Sequence, residues 1–359
     1  MQVRAVQPGE GARLAELRLR ALRDAPDAFG SNAQLEAAYP PALWEERREG
    51  VVVAEAHGEW LGMAGAFVEA DAPATARLWG TWVDPAARGR GVGRRLVEAV
   101  VAGARAAGHA RVELSVTDRA PAAEALYAAL GFRPTGVRRP LGGRPHLTEV
   151  FMALALPPPF PLETERLRLR TYTEDDFDAL LTLQARADAT RFLYWGPRGE
   201  DQVRDSLALK LAATGVAADG DALTLVIESK ATGAFLGDCA LWSTGQEHRQ
   251  GELGYILHPD HHGRGYATEA CRPFLALGFT AYGMRRIVGR LEARNAASAR
   301  VLERLGMRRE ARFVENEYVR GEWQSEIVYA LLAAEWRARA PTASRDGGST
   351  APSPPAGRA

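Results

Sequence analysis

Two glycine loops, half a chain apart, constrain this fold more than any other feature of the sequence. R-G-R-G-V-G at residues 88–93 and H-G-R-G-Y-A at residues 262–267 each follow a β-prone segment and open a run of helix formers. Val83-Asp84-Pro85 precedes the first loop at the same interval at which Leu257-His258-Pro259 precedes the second. Downstream, L-Y-A-A-L-G-F (126–132) corresponds to V-L-E-R-L-G-M (301–307). Gly91 and Gly131 are 40 positions apart, Gly265 and Gly306 41. One glycine turn arises by chance, but two motifs that keep their separation in both halves predict two copies of one fold.

A chain of 359 residues suits two domains, each able to bury a core. The stretch A-L-P-P-P-F-P, Ala155 to Pro161, interrupts any helix or ladder and reads as a stiff linker. The predicted organisation is a first domain over 1–155, a linker at 156–161, a second domain over 162–338 and a disordered tail over 339–359, where large apolar residues almost vanish. With 45 basic and 45 acidic residues, the chain lacks the charge of a dedicated nucleic-acid binder. No apolar run approaches the roughly 20 residues that span a bilayer. The opening M-Q-V-R-A-V has no secretory pattern, so a cytoplasmic protein is expected. Cys239 and Cys271 form neither a disulfide framework nor a zinc signature.

Each half repeats the same order. L-W-G-T-W-V (78–83) reads as a strand, and Leu96, Val97, Val100 and Ala104 recur at helical spacing. R-V-E-L-S-V (111–116) is the next strand, and a helix begins near Pro121 and stops at Gly131. In the second half E-L-G-Y-I-L, R-I-V-G-R-L and N-A-A-S-A-R-V-L-E-R-L take the same places. Pro273 falls inside the helix after the second loop, where it is expected to kink the helix at a cost of about 3 kcal/mol.

Glycine costs a helix about 1 kcal/mol against alanine, so a cluster at a helix mouth calls for a reason. A strand that feeds such a loop leaves several N–H groups unpaired at the positive end of a helix dipole, which is an anion cradle. Arg88, Arg90 and Arg94 add charge at its rim. The loops do not match a Walker motif, having no lysine after the glycines, and are one residue too tight for the dinucleotide fingerprint.

These residues resemble the GCN5-related N-acetyltransferase (GNAT) family, whose acetyl-CoA signature is R/Q-x-x-G-x-G/A. Arg88, Gly89, Arg90, Gly91, Val92 and Gly93 match in full; His262, Gly263, Arg264, Gly265, Tyr266 and Ala267 depart only in the histidine. L-E-T-E-R-L-R-L-R (162–170), G-Y-A-T-E-A (265–270) and N-A-A-S-A-R-V-L-E-R-L-G-M (295–307) make the second half similar to the branch that includes ribosomal-protein alanine acetyltransferases. The resemblance implies an α/β, mixed α+β class: two tandem acyl-CoA N-acyltransferase domains, each a twisted mixed sheet flanked by helices. It implies acetyl-CoA as co-substrate, no metal, and acetylation of a primary amine on a small molecule or protein N-terminus.

The resemblance also implies roles. The loop amides, with Arg94, hold the CoA pyrophosphate, and the preceding strand pairs with the pantetheine arm. A backbone donor at Trp82–Val83 or Ile256–Leu257 meets the oxyanion as a neutral amine attacks directly. Tyr127 matches the family's proton donor to the leaving thiolate; its plain alternative is a core aromatic. The asparagine that many relatives place seven residues earlier is Ala120 here. In the second half Leu302 takes the Tyr127 position, and Ser298, one turn after the CoA-contacting Asn295, is the substitute; an N-cap and a solvated position are the alternatives. Glu252 is a candidate base through water, or a carboxylate paired with an arginine.

His258, His261 and His262 in H-P-D-H-H invite a metal reading, but their counterparts Asp84, Ala87 and Arg88 belong to the loop, so no metal is expected. A-P-D-A-F-G-S (25–31) and R-F-L-Y-W-G-P (191–197) lie where the family builds its acceptor pocket, with core packing the alternative. Two further functional readings are a chain in which only one half is catalytic and the other binds acyl-CoA or scaffolds, and a regulatory acetyl-CoA sensor.

Overall fold

The computed structural model describes residues 1–339 except 143, 217–218 and 246–248. Apart from Arg339, the expected disordered tail lies outside the described residues. The chain divides into a unit that begins at Met1 and reaches Leu156 and a second that begins at Pro157.

The first unit is built on the strands β1 (Gln2–Ala5), β2 (Val51–Ala56), β3 (Glu59–Val68), β4 (Thr75–Val83), β5 (Arg111–Thr117), β6 (Arg133–Leu141) and β7 (Arg144–Ala155). Their order in the sheet is β1-β2-β3-β4-β5-β7-β6. Helices α1 (Gly11–Asp24), α2 (Ala33–Ala37) and α3 (Pro41–Arg47) precede β2, while α4 (Val92–Ala106) links β4 to β5 and α5 (Pro121–Ala129) links β5 to β6. Alternation along β3 and β4 gives the sheet two apolar faces. Leu14, Leu17, Trp60, Met63 and Trp82 pack on one, and Leu96, Val97, Val112, Leu114 and Phe132 form the other core.

The second unit has β8 (Leu162–Glu163), β9 (Leu167–Arg170), β10 (Ala222–Ser229), β11 (Phe235–Gly245), β12 (Gln250–Leu257), β13 (Arg286–Glu292), β14 (Arg308–Val319) and β15 (Glu322–Leu332), in the order β14-β15-β13-β12-β11-β10-β9-β8. Its helices are α6 (Phe177–Gln184), α7 (Glu200–Ala212), α8 (Tyr266–Phe279), α9 (Ala296–Arg304) and α10 (Ala333–Arg339). Helix α8 runs through Pro273 as one element. Cys239 and Cys271 are buried free thiols with their sulfurs 3.5 Å apart. No helix among the described residues is long and apolar enough to cross a membrane.

Both sheets are antiparallel except at one place. β4 and β5 run parallel and pair only at Thr75–Arg111, Ala76–Val112 and Arg77–Glu113; β12 and β13 pair only at Gln250–Arg286, Gly251–Ile287 and Glu252–Val288. Beyond those pairs the strands carry on without each other, so each sheet opens into a notch whose walls are the ends of two parallel strands. The two notches differ by one residue. β4 carries a bulge against β3, with Gly80 at φ +66°, whereas β12 pairs β11 in unbroken register from Gly251 to Leu257. The extra residue in β4 places Arg77 opposite the role of Glu252, and Thr81, two residues before the strand end, opposite that of Tyr255.

Candidate functional site

Each notch opens toward its glycine loop. Gly91 and Gly265 sit at the helix N-cap with φ of +76° and +81°, in the left-handed region that a side chain resists. Neither helix has a side-chain cap, and the first backbone bonds run from Arg95 N–H to Gly91 and from Glu269 N–H to Gly265, at 3.2 and 3.1 Å. The amides of the first turn, from Val92 and from Tyr266, therefore precede the helical ladder and are free to meet an anion. A Cβ at Gly89, Gly91 or Gly263 would meet nothing within 4 Å, so the loop is open on that side. Gly93 is different: its added carbon would touch Leu126 at 3.2 Å, so its missing side chain also lets α4 approach α5.

The first residue of each loop braces it. Arg88 donates from Nε to the Val83 carbonyl at 3.0 Å, and its other end pairs with Asp24. His262 uses Nε2 to hold the Leu257 carbonyl at the same 3.0 Å. The histidine thus fits the brace geometry that the arginine shows. Arg88 is consequently engaged with the protein itself, Arg94 pairs with Glu98 at 3.6 Å, and the rim charge falls first to Arg90. Arg264 offers its carbonyl to Arg166, whose guanidinium also lies 4.7 Å over the Tyr266 ring.

Successive N–H groups along a strand point to alternate sides. Asp84 N–H bonds Leu61 and His258 N–H bonds Leu236, both at 2.8 Å, so the N–H of Val83 and of Leu257 face the other way, into the notch. Those are the positions expected to meet an oxyanion.

In the first unit Tyr127 is only 7% exposed and meets Phe132 edge-on at 5.8 Å. Burial pushes its phenol pKa up, and the neighbouring Thr81 hydroxyl partly offsets this, although Thr81 Oγ1 makes no well-formed hydrogen bond. Ala120 packs against the same core. Phe29 of the A-P-D-A-F-G-S segment is likewise a core residue, beneath the Arg18 guanidinium at 4.5 Å.

In the second unit a cleft of about 450 Å³ joins the loop to the notch, and Gly263, Gly265, Tyr255, Asn295 and Ser298 line it. Asn295 caps α9, accepting from Ser298 N–H at 3.1 Å, so the capping alternative is realised in the fold. Ser298 Oγ lies 2.8 Å from the Tyr255 hydroxyl, a partner that sequence reasoning passed over. Leu302 is buried, packed against Gly289. Glu252 occupies the apex of the notch on the opposite sheet face from Tyr255, with Arg290 at 3.4 Å. Burial raises its carboxyl pKa, Arg290 opposes that, and Glu326 adds to it. Glu326 takes Arg290 at 2.9 Å and the Tyr194 hydroxyl at 3.4 Å. Arg191, Phe192 and Leu193 line the cleft, so here the aromatic segment does reach the site.

His258 caps the short turn at Pro259–His261, and His262 is the brace. Among the described residues no three metal-ligating side chains converge.

Comparisons with known proteins agree with this geometry. Residues 17–132 match a model described as the acetyltransferase (GNAT) family, and residues 166–308 match one described as an acetyltransferase (GNAT) domain. The uncharacterized N-acetyltransferase YnaD of Bacillus subtilis (strain 168) is 31% identical over 144 residues, covering 37% of this chain and 84% of that protein. The chain belongs to the GNAT family. It is an N-acetyltransferase with two GNAT domains in tandem, one on each notched sheet. A second GNAT relative, named putative ribosomal N-acetyltransferase YdaF, from the same bacterium, is 30% identical over 104 residues, which cover 29% of this chain and 57% of that protein. The solved structure of an acetyltransferase (GNAT family) from Bacillus anthracis is 26% identical, covers 48% of this chain and 99% of that one, and gives a TM-score of 0.44.

Proposed function

We propose that the protein transfers the acetyl group of acetyl-CoA to a primary amine by direct attack, in domains spanning 1–155 and 162–338. The observation that carries this reading is the same in both: an uncapped helix N-terminus, two positive-φ glycines and an inward strand-end N–H face one notch. The loop amides of Gly89–Arg94 and Gly263–Ala267 bind the pyrophosphate, and the notch wall ending at Val83 or Leu257 pairs with the pantetheine arm. The N–H of Val83 or Leu257 then lies where negative charge develops on the thioester oxygen. In the second domain Asn295 steadies the arm, Ser298 protonates the leaving sulfur, and Glu252, whose burial raises its carboxyl pKa and so its basicity, accepts the amine proton through water. Tyr127 is the donor of the first domain.

The acceptor of the second domain, on this reading, is a protein α-amine; the name of YdaF and the carboxylates Glu252 and Glu326, which flank Arg290, both favour a cationic amine end. A second reading, in which the first domain binds acyl-CoA without turnover, draws on the enclosure of Tyr127 and on Ala120. Thiol release from acetyl-CoA over a panel of alanine-initiated peptides, amino acids and polyamines tests both. Full-length chains carrying Gly91→Glu or Gly265→Glu silence one loop at a time. Turnover surviving only Gly91→Glu selects the second reading, and binding without turnover in all three chains removes the proposal.

A further inference from the structure

The Tyr255–Ser298 contact goes beyond a serine donor. The phenol lies 2.8 Å from Ser298 Oγ and 3.1 Å from the Ser298 carbonyl, and both side chains line the cleft beside the loop. Serine alone is a poor acid for a thiolate, because it would leave an alkoxide far more basic than the sulfur it protonates. A phenol, with an ordinary pKa near 10 against roughly 8.5 for a thiol, is the closer match.

The first unit supplies an independent observation. Its phenol, Tyr127, stands on the helix and its neighbouring hydroxyl, Thr81, on the strand. Tyr255 and Thr81 are each two residues before the strand end, at Leu257 and Val83. In the second unit the phenol is on the strand and the small hydroxyl on the helix. Both units thus place one tyrosine and one small hydroxyl between the same strand and the same helix, with the carriers exchanged.

We infer that Tyr255 is the proton source of the second domain, acting through Ser298. The inference rests on the acetyltransferase reading of this site. As the amine nitrogen bonds to the thioester carbon, the carbon–sulfur bond breaks and sulfur leaves with the electron pair. Ser298 Oγ gives its proton to that sulfur while Tyr255 passes its own to Oγ. The phenolate then recovers a proton from solvent, while Glu252 takes, through water, the one shed by the acylated nitrogen. Burial raises the phenol pKa and the hydrogen bond to Ser298 opposes it, so the tyrosine holds its proton until the thiolate forms.

The test uses the full chain with Gly91→Glu, so that only the second loop binds. Tyr255→Phe and Ser298→Ala are each expected to lower kcat on the order of 100-fold with acetyl-CoA and an alanine-initiated peptide or spermidine, with the KM for acetyl-CoA little changed. The double variant falls no further, since one relay is lost either way. Calorimetry with CoA and desulfo-CoA reads the relay without an acceptor. The parent binds CoA about fivefold tighter, the worth of one hydrogen bond; Ser298→Ala abolishes that preference and Tyr255→Phe, which leaves Ser298 without its partner, reduces it, while desulfo-CoA affinity holds. A Tyr255→Phe chain that keeps the preference and, where turnover occurs, the parent's kcat overturns the inference. Absence of turnover in the parent defeats the acetyltransferase reading of this domain, and the CoA comparison still decides Tyr255.

Discussion

His262 holds the carbonyl oxygen of Leu257 through Nε2 at 3.0 Å, across the turn between strand and helix. The bond joins a notch wall to the mouth of the anion cradle, so one side chain sets the position of both. His262→Ala is expected to weaken acetyl-CoA binding about fivefold, one hydrogen bond's worth, in a chain silenced at the first loop by Gly91→Glu. His262→Arg, which restores the brace that Arg88 makes, should recover most of that affinity. Equal affinities for parent and alanine variant in calorimetry would show that the brace is not needed.

Leu302 fills the space that a side chain at Gly289 would require: a methyl added there would lie 2.8 Å from a Leu302 carbon. A tyrosine donor cannot simply be grafted at this position. Leu302→Tyr is expected to overpack the strand–helix contact, lower stability by about 1–3 kcal/mol in urea unfolding, and leave turnover no higher. A stable and faster variant would contradict the packing argument.

Glu252 carries a pH signature of definite sign. Its folded pKa is raised, first by burial, so the carboxyl favours the folded state while protonated. That contribution is complete below the ordinary carboxylate value and fades as pH rises through the raised one. Glu252→Gln should therefore melt higher than the parent at pH 7.5, with the difference closing below about pH 4, and should turn over more slowly. Melting curves in the reverse order would mean that Arg290 outweighs burial.

Arg18 and Glu36 form a two-bond pair at 3.0 and 3.1 Å, with side chains 5% and 1% exposed. Removing the carboxylate strands a buried guanidinium. Glu36→Ala is expected to cost about 3–5 kcal/mol, and the double variant Arg18→Met with Glu36→Leu much less. Denaturant unfolding followed at the tryptophans of the first unit compares them; a loss below about 1 kcal/mol for Glu36→Ala would remove this pair from the stability account.

The repeat was legible because glycine loops and helix stops are local signals with fixed spacing. Strand, loop and helix limits around both loops fall within a few residues of those the pattern predicts. The site was less legible where it depends on contacts made far along the chain. Nothing near Arg88 announces Asp24, and the bulge at Gly80 is visible only once β3 is paired with β4. Tyr255 lies in the E-L-G-Y-I-L strand. Reading that strand for its carboxylate alone selected one face, and alternation put the phenol on the other, where Ser298 meets it.

The parallel seam in each sheet, three residue pairs long, has a mechanical consequence. Each sheet is two stiff plates stitched at one end, and the helix that crosses from one plate to the other, α4 or α8, acts as the strap. The gap between the plates is then set by side chains at the stitch and under the strap, such as the fully buried Val97 and Phe274. The width of the notch becomes a property of the scaffold, open to adjustment from the buried core.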